Sequence, residues 1–447
     1  MGIQDLILTP IYILVILLFA QIIKKRIPNP ILRKYFIPGL VVKIFGALAT
    51  GIIYFYYYGD GDTVYFFNRS KYIFSVLSAD FQLGMKLIFT APDLTDPETY
   101  SHLVRMNAGD TSSFLVTRVT AFIGLFTFYT YSTVAVIFSI ICYSGMWHLF
   151  RILSHIYPNS IKGIAIACLF IPSVFFWGSG IFKDTITMGC LAWLTVSFYH
   201  IFIHRKHLII HILIAIVCIN MIGVIKSYIL LAFIPSAVFW IFLQYKSRIR
   251  SRLLSRLSLP FVLAFSLIIG FVLINQLSSS YGKFGISNIE SRATDMQRWH
   301  TAVEDYYDFE GSSYSLGAVD FSYSGLLFKI PAAINATLFR PYIWEVNNIL
   351  MIFAFLESTI FLWFTLKVLL MGRFFQPFIE IFRDPTLAFC LVFSMVFAFS
   401  VGFTSYNFGA LVRYKIPCLP FYAVLLVILL DKIREWRYRN QKARYNV

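Results

Sequence analysis

Long apolar segments recur along almost the whole chain, and they restrict its fold more than any other feature of the sequence. A helix needs about 20 apolar residues to cross the hydrocarbon core of a bilayer. Backbone polar groups cannot stay unpaired in lipid, so only helices and closed barrels span it. Segments of this length predict helices. We therefore predict an all-α protein, a polytopic bundle of transmembrane helices.

The segments predict about eleven spans and one short additional helix. Residues 114–151 are too long for one span, but two full spans would put the next basic loop on the wrong side of the membrane. We therefore divide them into a re-entrant or interfacial helix at 114–129 and a span that starts at 131. The predicted spans lie at about 7–23, 37–58, 131–150, 162–177, 181–204, 208–224, 228–245, 259–276, 346–370, 385–404 and 415–430.

The distribution of charge predicts the orientation of the chain. Only 13% of the residues are charged, against about 25% in soluble domains. The net charge of +16 comes from basic runs between apolar segments, which the positive-inside rule assigns to the cytoplasm; this pattern argues against nucleic acid as a partner. Two loops, 59–112 and 278–345, hold seven and eight acids. We expect one transmembrane domain, residues 1–447, with these loops and the N-terminus outside.

Two carboxylates follow the second predicted span in the turn at 59–62, which we call the carboxylate turn. Gly59 and Gly61 allow the backbone to bend sharply beside Asp60 and Asp62. One carboxylate could act as a general base at the membrane surface while the other holds a sugar hydroxyl or a divalent cation such as Mg²⁺ or Mn²⁺. Nothing in the sequence requires a metal. The simpler alternative is a solvated helix exit, where Asp favours the start of the next helix.

A candidate phosphate site follows at 172–184, which we call the lysine segment. Its Gly178-Ser-Gly180 turn opens a helix on the predicted outer side. Free amides at a helix start favour an anion, and Lys183 adds a full positive charge, so the pattern suits a phosphate. In the alternative reading, Lys183 reaches towards lipid headgroups and Asp184 offsets the helix dipole.

Several other polar residues on the predicted outer side are candidates for substrate binding. Cations on this side oppose the usual charge bias, and an anionic ligand or a lipid headgroup is the usual reason. Arginine suits bidentate contact with phosphate, whereas lysine acts as a point charge. The candidates are Arg118, Lys226, Arg413 and Lys415, together with Asp184 of the lysine segment and with Tyr65, His102 and Arg105 from the first outer loop.

These features together resemble the GT-C superfamily of integral membrane glycosyltransferases. Such enzymes place an acidic residue in the first large outer loop, as Asp60 and Asp62 do here, followed by Tyr65. They often carry a segment in which Pro-Ser is followed, after a few residues, by Trp and then Gly, and which ends in an acid at the head of a later helix; the lysine segment is similar to it. With residues 407–415, the set is also similar to bacterial membrane proteins of polysaccharide clusters. The resemblance covers roughly residues 40–425.

The resemblance implies an inverting glycosyltransferase of a bacterial inner membrane that works on the extracytoplasmic side. It would transfer a sugar from a polyprenyl-phosphate carrier to a glycan, a lipid-linked glycan or a protein. Asp62, or Asp60, would deprotonate the acceptor hydroxyl. The leaving phosphate would be stabilised by preorganised charges and amides, namely Lys183, Arg413, Lys415 and the amides of residues 178–180.

Two other functions stay open at this stage. An O-antigen polymerase or ligase would need Arg and His in the outer loops, and Arg105, Arg298 and His300 qualify. A lipid-linked glycan flippase or another transporter would need inverted repeats or polar, broken helices at the bilayer midplane. Only Asn220 and Glu357 lie at that depth, which counts against a transporter. Membrane lipid is an expected partner in each case.

Overall fold

Helices form nearly all of the chain that the computed structural model describes, namely residues 2–90, 92–246, 313–314, 316 and 323–445. Within these ranges no strand forms, and Ser313 pairs with Asn407 in an isolated bridge. The predicted all-α class is confirmed. In chain order the α-helices are α1 (Ile3–Lys25), α2 (Pro30–Ile52), α3 (Asp62–Ala79), α4 (Phe81–Phe89), α5 (Pro97–Arg105), α6 (Thr111–Leu125), α7 (Tyr131–Ile156), α8 (Ile161–Leu169), α9 (Pro172–Trp177), α10 (Lys183–Phe198), α11 (Leu208–Lys226), α12 (Tyr228–Lys246), α13 (Tyr323–Phe339), α14 (Ile349–Met371), α15 (Phe375–Arg383), α16 (Pro385–Thr404), α17 (Phe408–Tyr414) and α18 (Leu419–Tyr445).

Eight helices in the described residues are long and apolar enough to cross a membrane. Two of them, α2 and α10, continue into short π-helices at Ile53–Tyr57 and Tyr199–His204. α17 and α18 make a ninth candidate if this pair, bent by 69°, forms one span. All nine coincide with predicted spans, as expected for a multi-pass membrane protein.

Two of the eleven predicted spans are not among these helices. The one at 259–276 lies outside the described residues. The one at 162–177 is two short helices, α8 of nine residues and α9 of six. Pro172 explains the break, because it lacks an N–H and disfavours helical backbone at Ile171. The predicted short helix at 114–129 corresponds to α6, whose 15 residues are too few to cross a bilayer.

The described chain divides into two compact units, which are treated separately below. The single transmembrane domain with its two outer loops stays a prediction. The first unit consists of Met1–Ile152, Val174–Ser197 and Ile212–Lys226, and the second of Leu153–Ser173, Phe198–His211 and Ser227–Val447.

In the first unit, α2 lies directly against α9 and the turn that follows it. A Cβ atom on Gly46 would stand 2.2 Å from the Phe175 carbonyl oxygen, so only glycine allows this approach. Next to this contact, α2 packs on α7 through Phe36, whose ring centroid lies 4.8 Å from that of Trp147. The first part of the lysine segment is therefore held against α2.

In the second unit, α13 packs tightly on α16. A Cβ atom on Gly402 would lie 2.1 Å from the Ala333 carbonyl oxygen, and Thr337 donates a hydrogen bond of 2.7 Å to the Ala398 carbonyl. α13 falls within the stretch 278–345 that the sequence places in an outer loop. Lys329 and other polar residues interrupt its apolar sequence. The segment therefore contains no long apolar run that would mark it as a helix.

Fusions of alkaline phosphatase at Ser313 and Ser251 test the predicted sides of the membrane. Ser251, which lies outside the described residues, belongs to a basic run that we expect in the cytoplasm, whereas the loop around Ser313 is acidic. The enzyme folds only outside the cytoplasm, so activity is expected at Ser313 alone. A cytoplasmic reporter at the same positions should give the inverse pattern. Phosphatase activity at Ser251 and none at Ser313 would contradict the orientation.

Candidate functional site

The carboxylate turn stands at the start of α3, in the first unit. Gly59 and Gly61 adopt positive φ angles of 74° and 136°, which cost glycine little. The Asp60 carboxylate accepts a hydrogen bond of 2.7 Å from the Gly61 amide. Asp62 occupies the first turn of α3, where the helix dipole favours a negative charge. Both acids are exposed, so both carboxylates are accessible to a substrate.

The start of α3 is anchored by a buried hydrogen bond. Thr63, the residue after Asp62, lies 2.7 Å from Tyr131 between the two side-chain oxygens, and both residues are buried. The Tyr131 ring stands edge-on to Phe55 and Phe67, with centroids 4.7 and 5.3 Å away. A buried hydrogen bond inside an aromatic cage restricts motion, so the position of Asp62 relative to α7 is well defined.

Aromatic packing joins the carboxylate turn to the lysine segment. A Cβ atom on Gly61 would lie 2.5 Å from the Tyr54 ring, so the turn rests directly on that ring. Tyr54, Val64 and Phe182 form one buried cluster, with the Tyr54 and Phe182 ring centroids 5.4 Å apart. Phe182 immediately precedes Lys183. The cluster thus places two exposed carboxylates and a lysine in the same region of the first unit.

Lys183 is held by the start of α6. Its Nζ donates a hydrogen bond of 2.8 Å to the Ser112 hydroxyl and lies 4.0 Å from a carboxylate oxygen of Asp110. The Asp110 carboxylate in turn accepts hydrogen bonds from the Ser112 and Ser113 hydroxyls, at 2.8 and 2.9 Å. The Lys183 side chain is 24% exposed. Its ammonium is therefore oriented by α6, and its side chain is still partly exposed.

A buried lysine supports the turn inside the lysine segment. Lys43 on α2 donates hydrogen bonds to the carbonyls of Gly178 and Val174, at 2.7 and 3.0 Å. Gly180 has a φ of 81°, so the backbone bends where glycine is needed. Lys43, Asp110 and Ser112 are not among the site residues predicted from the sequence. An ionisable residue within a predicted span, as Lys43 is, was the one available signal.

Asp184 and Lys226, both predicted to bind substrate, form a buried ion pair. Lys226 Nζ lies 2.5 Å from Asp184 Oδ1, and their side chains are 8% and 1% exposed. A charge removed from water needs a partner of this kind. The pair joins the first turn of α10 to the end of α11. Lys226 is thus part of the interior of the first unit and supports the residue next to Lys183.

Tyr65, His102 and Arg105 lie along one polar and aromatic surface of the first unit. The Arg69 guanidinium stacks on the Tyr65 ring at 3.7 Å. One to two turns later, the Tyr72 hydroxyl lies 2.8 Å from His102 Nδ1, and Arg105 stands 4.4 Å above the Tyr72 ring. Residues of α3 and α5 therefore account for the contacts of all three predicted binding residues.

Arg118 ties α6 to α4. Its Nε donates a hydrogen bond to the Ile88 carbonyl, and its guanidinium lies 5.8 Å from the Phe114 ring centroid. This contact explains a lone cation on an apolar helix.

Of the residues that favour a polymerase or ligase, Arg298 and His300 lie outside the described residues.

Arg413 and Lys415 belong to the second unit. Arg413 lies on α17, a helix whose start is capped by the Asn407 side chain, 3.1 Å from the Ala410 amide. Lys415 is fully buried and donates a hydrogen bond of 3.0 Å to the Ser358 hydroxyl. The structure therefore shows an interior contact for Lys415, which the sequence places at the mouth of a span.

The polar residues expected at mid-depth have local partners. Glu357 accepts two hydrogen bonds from Ser173, from its amide at 2.9 Å and its hydroxyl at 2.6 Å. Asn220 donates a hydrogen bond of 2.8 Å to the Ile216 carbonyl on its own helix. Neither contact needs a transported ligand.

Across the described residues, no three His, Cys, Asp or Glu side chains converge as they would around a metal ion. A divalent cation on Asp60 or Asp62 would have at most these two carboxylates, and it stays a prediction.

Comparison with protein-family models gives no match. Searches of curated proteins and of solved structures give none either.

Proposed function

We propose that this protein is an inverting glycosyltransferase that transfers a sugar from a polyprenyl-phosphate carrier to an acceptor hydroxyl on the outer face of a bacterial inner membrane. One observation carries the proposal. The carboxylate turn packs through Tyr54 on Phe182, which immediately precedes Lys183. A transfer of this kind needs a base for the acceptor and a cation for the leaving phosphate, and this packing brings a candidate for each into one region of the first unit.

Asp62 is the general base in this proposal. It follows a sharp glycine turn and precedes Thr63, whose buried hydrogen bond to Tyr131 holds the start of α3. Its carboxylate takes the proton of the acceptor hydroxyl, and the hydroxyl oxygen bonds to the anomeric carbon of the donor. The carbon–oxygen bond to the carrier breaks, and polyprenyl phosphate leaves with the electron pair. Attack from the face opposite the phosphate inverts the anomeric configuration.

Lys183 stabilises the leaving phosphate in the same proposal. The Ser112 hydroxyl orients its ammonium, and Lys43 holds the neighbouring backbone through the Gly178 carbonyl. Groups fixed before the reaction cost no reorganisation when charge develops, which makes such electrostatic stabilisation large. A polyprenyl carrier stays in the membrane, so a site reached from the lipid–water boundary suits it.

Proteoliposomes loaded with synthetic undecaprenyl-phosphate hexoses and a membrane glycan extract test this function. Released undecaprenyl phosphate is measured by mass spectrometry, and the wild-type protein should release it from at least one donor. Lys183→Met should reduce the rate about 10²-fold, because the developing phosphate charge loses its ammonium. No release by the wild-type protein from any hexose donor would contradict the proposal.

Lys86→Met provides the matched control for Lys183→Met. Lys86 lies on α4 of the same unit and pairs with Glu98 and with Asp96, the latter at 2.9 Å. Hydrogen bonds to Glu98 and Asp96 raise the pKa of Lys86 to about 12, so it is charged at neutral pH. Lys86→Met removes an ammonium on the predicted outer side that is not part of the proposed phosphate site. Transfer should therefore stay at the wild-type rate. An equal loss in both variants would point to a general charge effect.

A further inference from the structure

The first unit contains a cavity of about 400 Å³ that is lined in part by α3, the helix that begins with Asp62. This volume falls within the range of about 300–1,000 Å³ that is usual for ligand pockets. Its walls come from the start of α1, the π-helix after α2, the middle of α3 and the residues around the start of α7. None of the functional groups assigned above to proton transfer or phosphate stabilisation lines it. Its lining divides into an aromatic side and a polar side.

The aromatic side is built from Phe55, Phe67, Tyr129 and Tyr131. Tyr131 holds the group together, with Phe55 and Phe67 at its ring edges. The four rings come from three different segments, so the wall is set by tertiary packing. Aromatic faces carry partial negative charge and attract polarised C–H groups. The C–H face of a pyranose ring is a ligand surface of that type.

The polar side carries Asp5, Asn68 and Lys71. The Asp5 carboxylate is fixed by hydrogen bonds from the amides of Gly2 and Ser132, both at 2.8 Å. With one carboxylate and one ammonium, the lining has no excess charge to select an ion. It does offer carboxylate, amide and ammonium groups to hydroxyls. This combination favours a neutral ligand that is rich in hydroxyl groups.

One buried side chain of the cavity has an unused hydrogen-bonding group. Thr130 is 2% exposed, and its hydroxyl has no hydrogen-bond partner among the described residues. Buried polar groups are nearly always paired, by protein, by water or by a ligand. Because Thr130 lines the cavity, a ligand hydroxyl placed there would supply the partner.

We propose that this cavity is the acceptor subsite and binds a neutral sugar. The assignment rests on the proposed transfer reaction and specifies its acceptor class. Tyr131 connects the two sites, since its ring lines the cavity and its hydroxyl is hydrogen-bonded to Thr63, the residue after Asp62. A sugar in the cavity would therefore contact a ring that is hydrogen-bonded to the helix start carrying the proposed base. The acceptor is a glycan with an uncharged terminal residue.

The first test measures sugar binding without any donor. Neutral methyl glycosides of glucose, galactose, mannose and N-acetylglucosamine are added to the protein in nanodiscs, and binding is followed by saturation-transfer difference NMR. Asn68→Trp places an indole at the polar side and should weaken binding of the best glycoside at least tenfold. Ser75→Trp, at an exposed position later on α3, should bind like wild type. Wild-type binding by Asn68→Trp, no binding of any glycoside, or tighter binding of glucose 1-phosphate would overturn the proposal.

The second test isolates the Thr130 hydroxyl. Thr130→Val keeps the size of the side chain and should weaken glycoside binding about two- to tenfold, the value of one hydrogen bond. Thr133→Val is the matched control. Thr133, on α7, is buried like Thr130, and its hydroxyl also has no partner among the described residues. Unlike Thr130, it does not line the cavity. Equal affinities for the two variants would remove Thr130 from the site.

The two proposals fail in different ways. If the protein binds methyl glycosides in the cavity but releases no polyprenyl phosphate from any donor, the transferase function is wrong and the sugar site stands. If it transfers sugar normally while Asn68→Trp leaves both glycoside binding and the acceptor KM unchanged, the acceptor subsite is wrong and the transferase function stands.

Discussion

Sugar transfer in proteoliposomes is expected to fall about 10²–10⁴-fold when Asp62 is replaced by asparagine, the usual contribution of a positioned general base. The amide has nearly the shape of the carboxylate but cannot take the acceptor proton. Asp60→Asn should reduce the transfer rate by a smaller factor, because Asp60 lies before the anchored first turn of α3. The asparagine oxygen can still accept the hydrogen bond that Asp60 receives from the Gly61 amide, so the turn should survive. Initial rates of undecaprenyl phosphate release give the comparison.

Asp80→Asn is the control for these two variants. Asp80 is an exposed acid of the same predicted outer loop, and it caps α4 by accepting a hydrogen bond of 3.0 Å from the Leu83 amide. Asparagine caps helices as well as aspartate, so transfer should stay at the wild-type rate. If Asp60→Asn and Asp62→Asn both keep wild-type transfer, neither carboxylate is the base.

Lys226→Met is expected to cost about 3–5 kcal/mol of unfolding free energy, the usual effect of breaking a buried ion pair. The substitution leaves the Asp184 carboxylate in the interior without its ammonium partner at 2.5 Å. Replacing both residues, as Asp184→Leu with Lys226→Met, removes the uncompensated charge. The double variant should recover most of the stability, since apolar replacements of such pairs are often neutral or stabilising.

Equilibrium unfolding in mixed lipid–detergent micelles with increasing SDS, followed by circular dichroism, measures this cost. Lys86→Met serves as the control, because its partly exposed lysine pairs at the surface, and surface pairs contribute about 0–1 kcal/mol. A Lys226→Met protein as stable as the control would show that the pair is not required. Transfer by the double variant reports whether the pair also positions Lys183.

The sequence was sufficient where a local pattern determines the structure. Among the described residues, eight predicted spans have matching helices, and a ninth does if the bent pair α17–α18 is one span, because about 20 apolar residues in lipid have little alternative to a helix. It failed at 162–177, where hydropathy stays high and Pro172 still divides the stretch into two short helices. Hydropathy is averaged over a window of residues, so it does not show that one residue, Pro172, lacks a backbone N–H group.

The contacts of the site were harder to predict because they join distant segments. Asp60 and Asp62 are marked by their glycines, and Lys183 by its Gly-Ser-Gly turn. Nothing in one sequence relates Lys183 to Ser112, or Asp184 to Lys226, since these pairs lie 71 and 42 residues apart. Asp184 and Lys226 were therefore predicted as two separate candidates. Tertiary packing brings them together, and their charges neutralise each other.

In the proposed transfer, the Asp110 carboxylate, 4.0 Å from the Lys183 ammonium, would affect release of the phosphate product. Any phosphate at Lys183 competes with a negative group that is permanently attached to the protein. In the proposed reaction, the spent carrier would therefore be held less firmly than by a solitary ammonium, and Lys183 would have a resident counterion to return to. A lipid that must diffuse away before the next cycle benefits from such an arrangement.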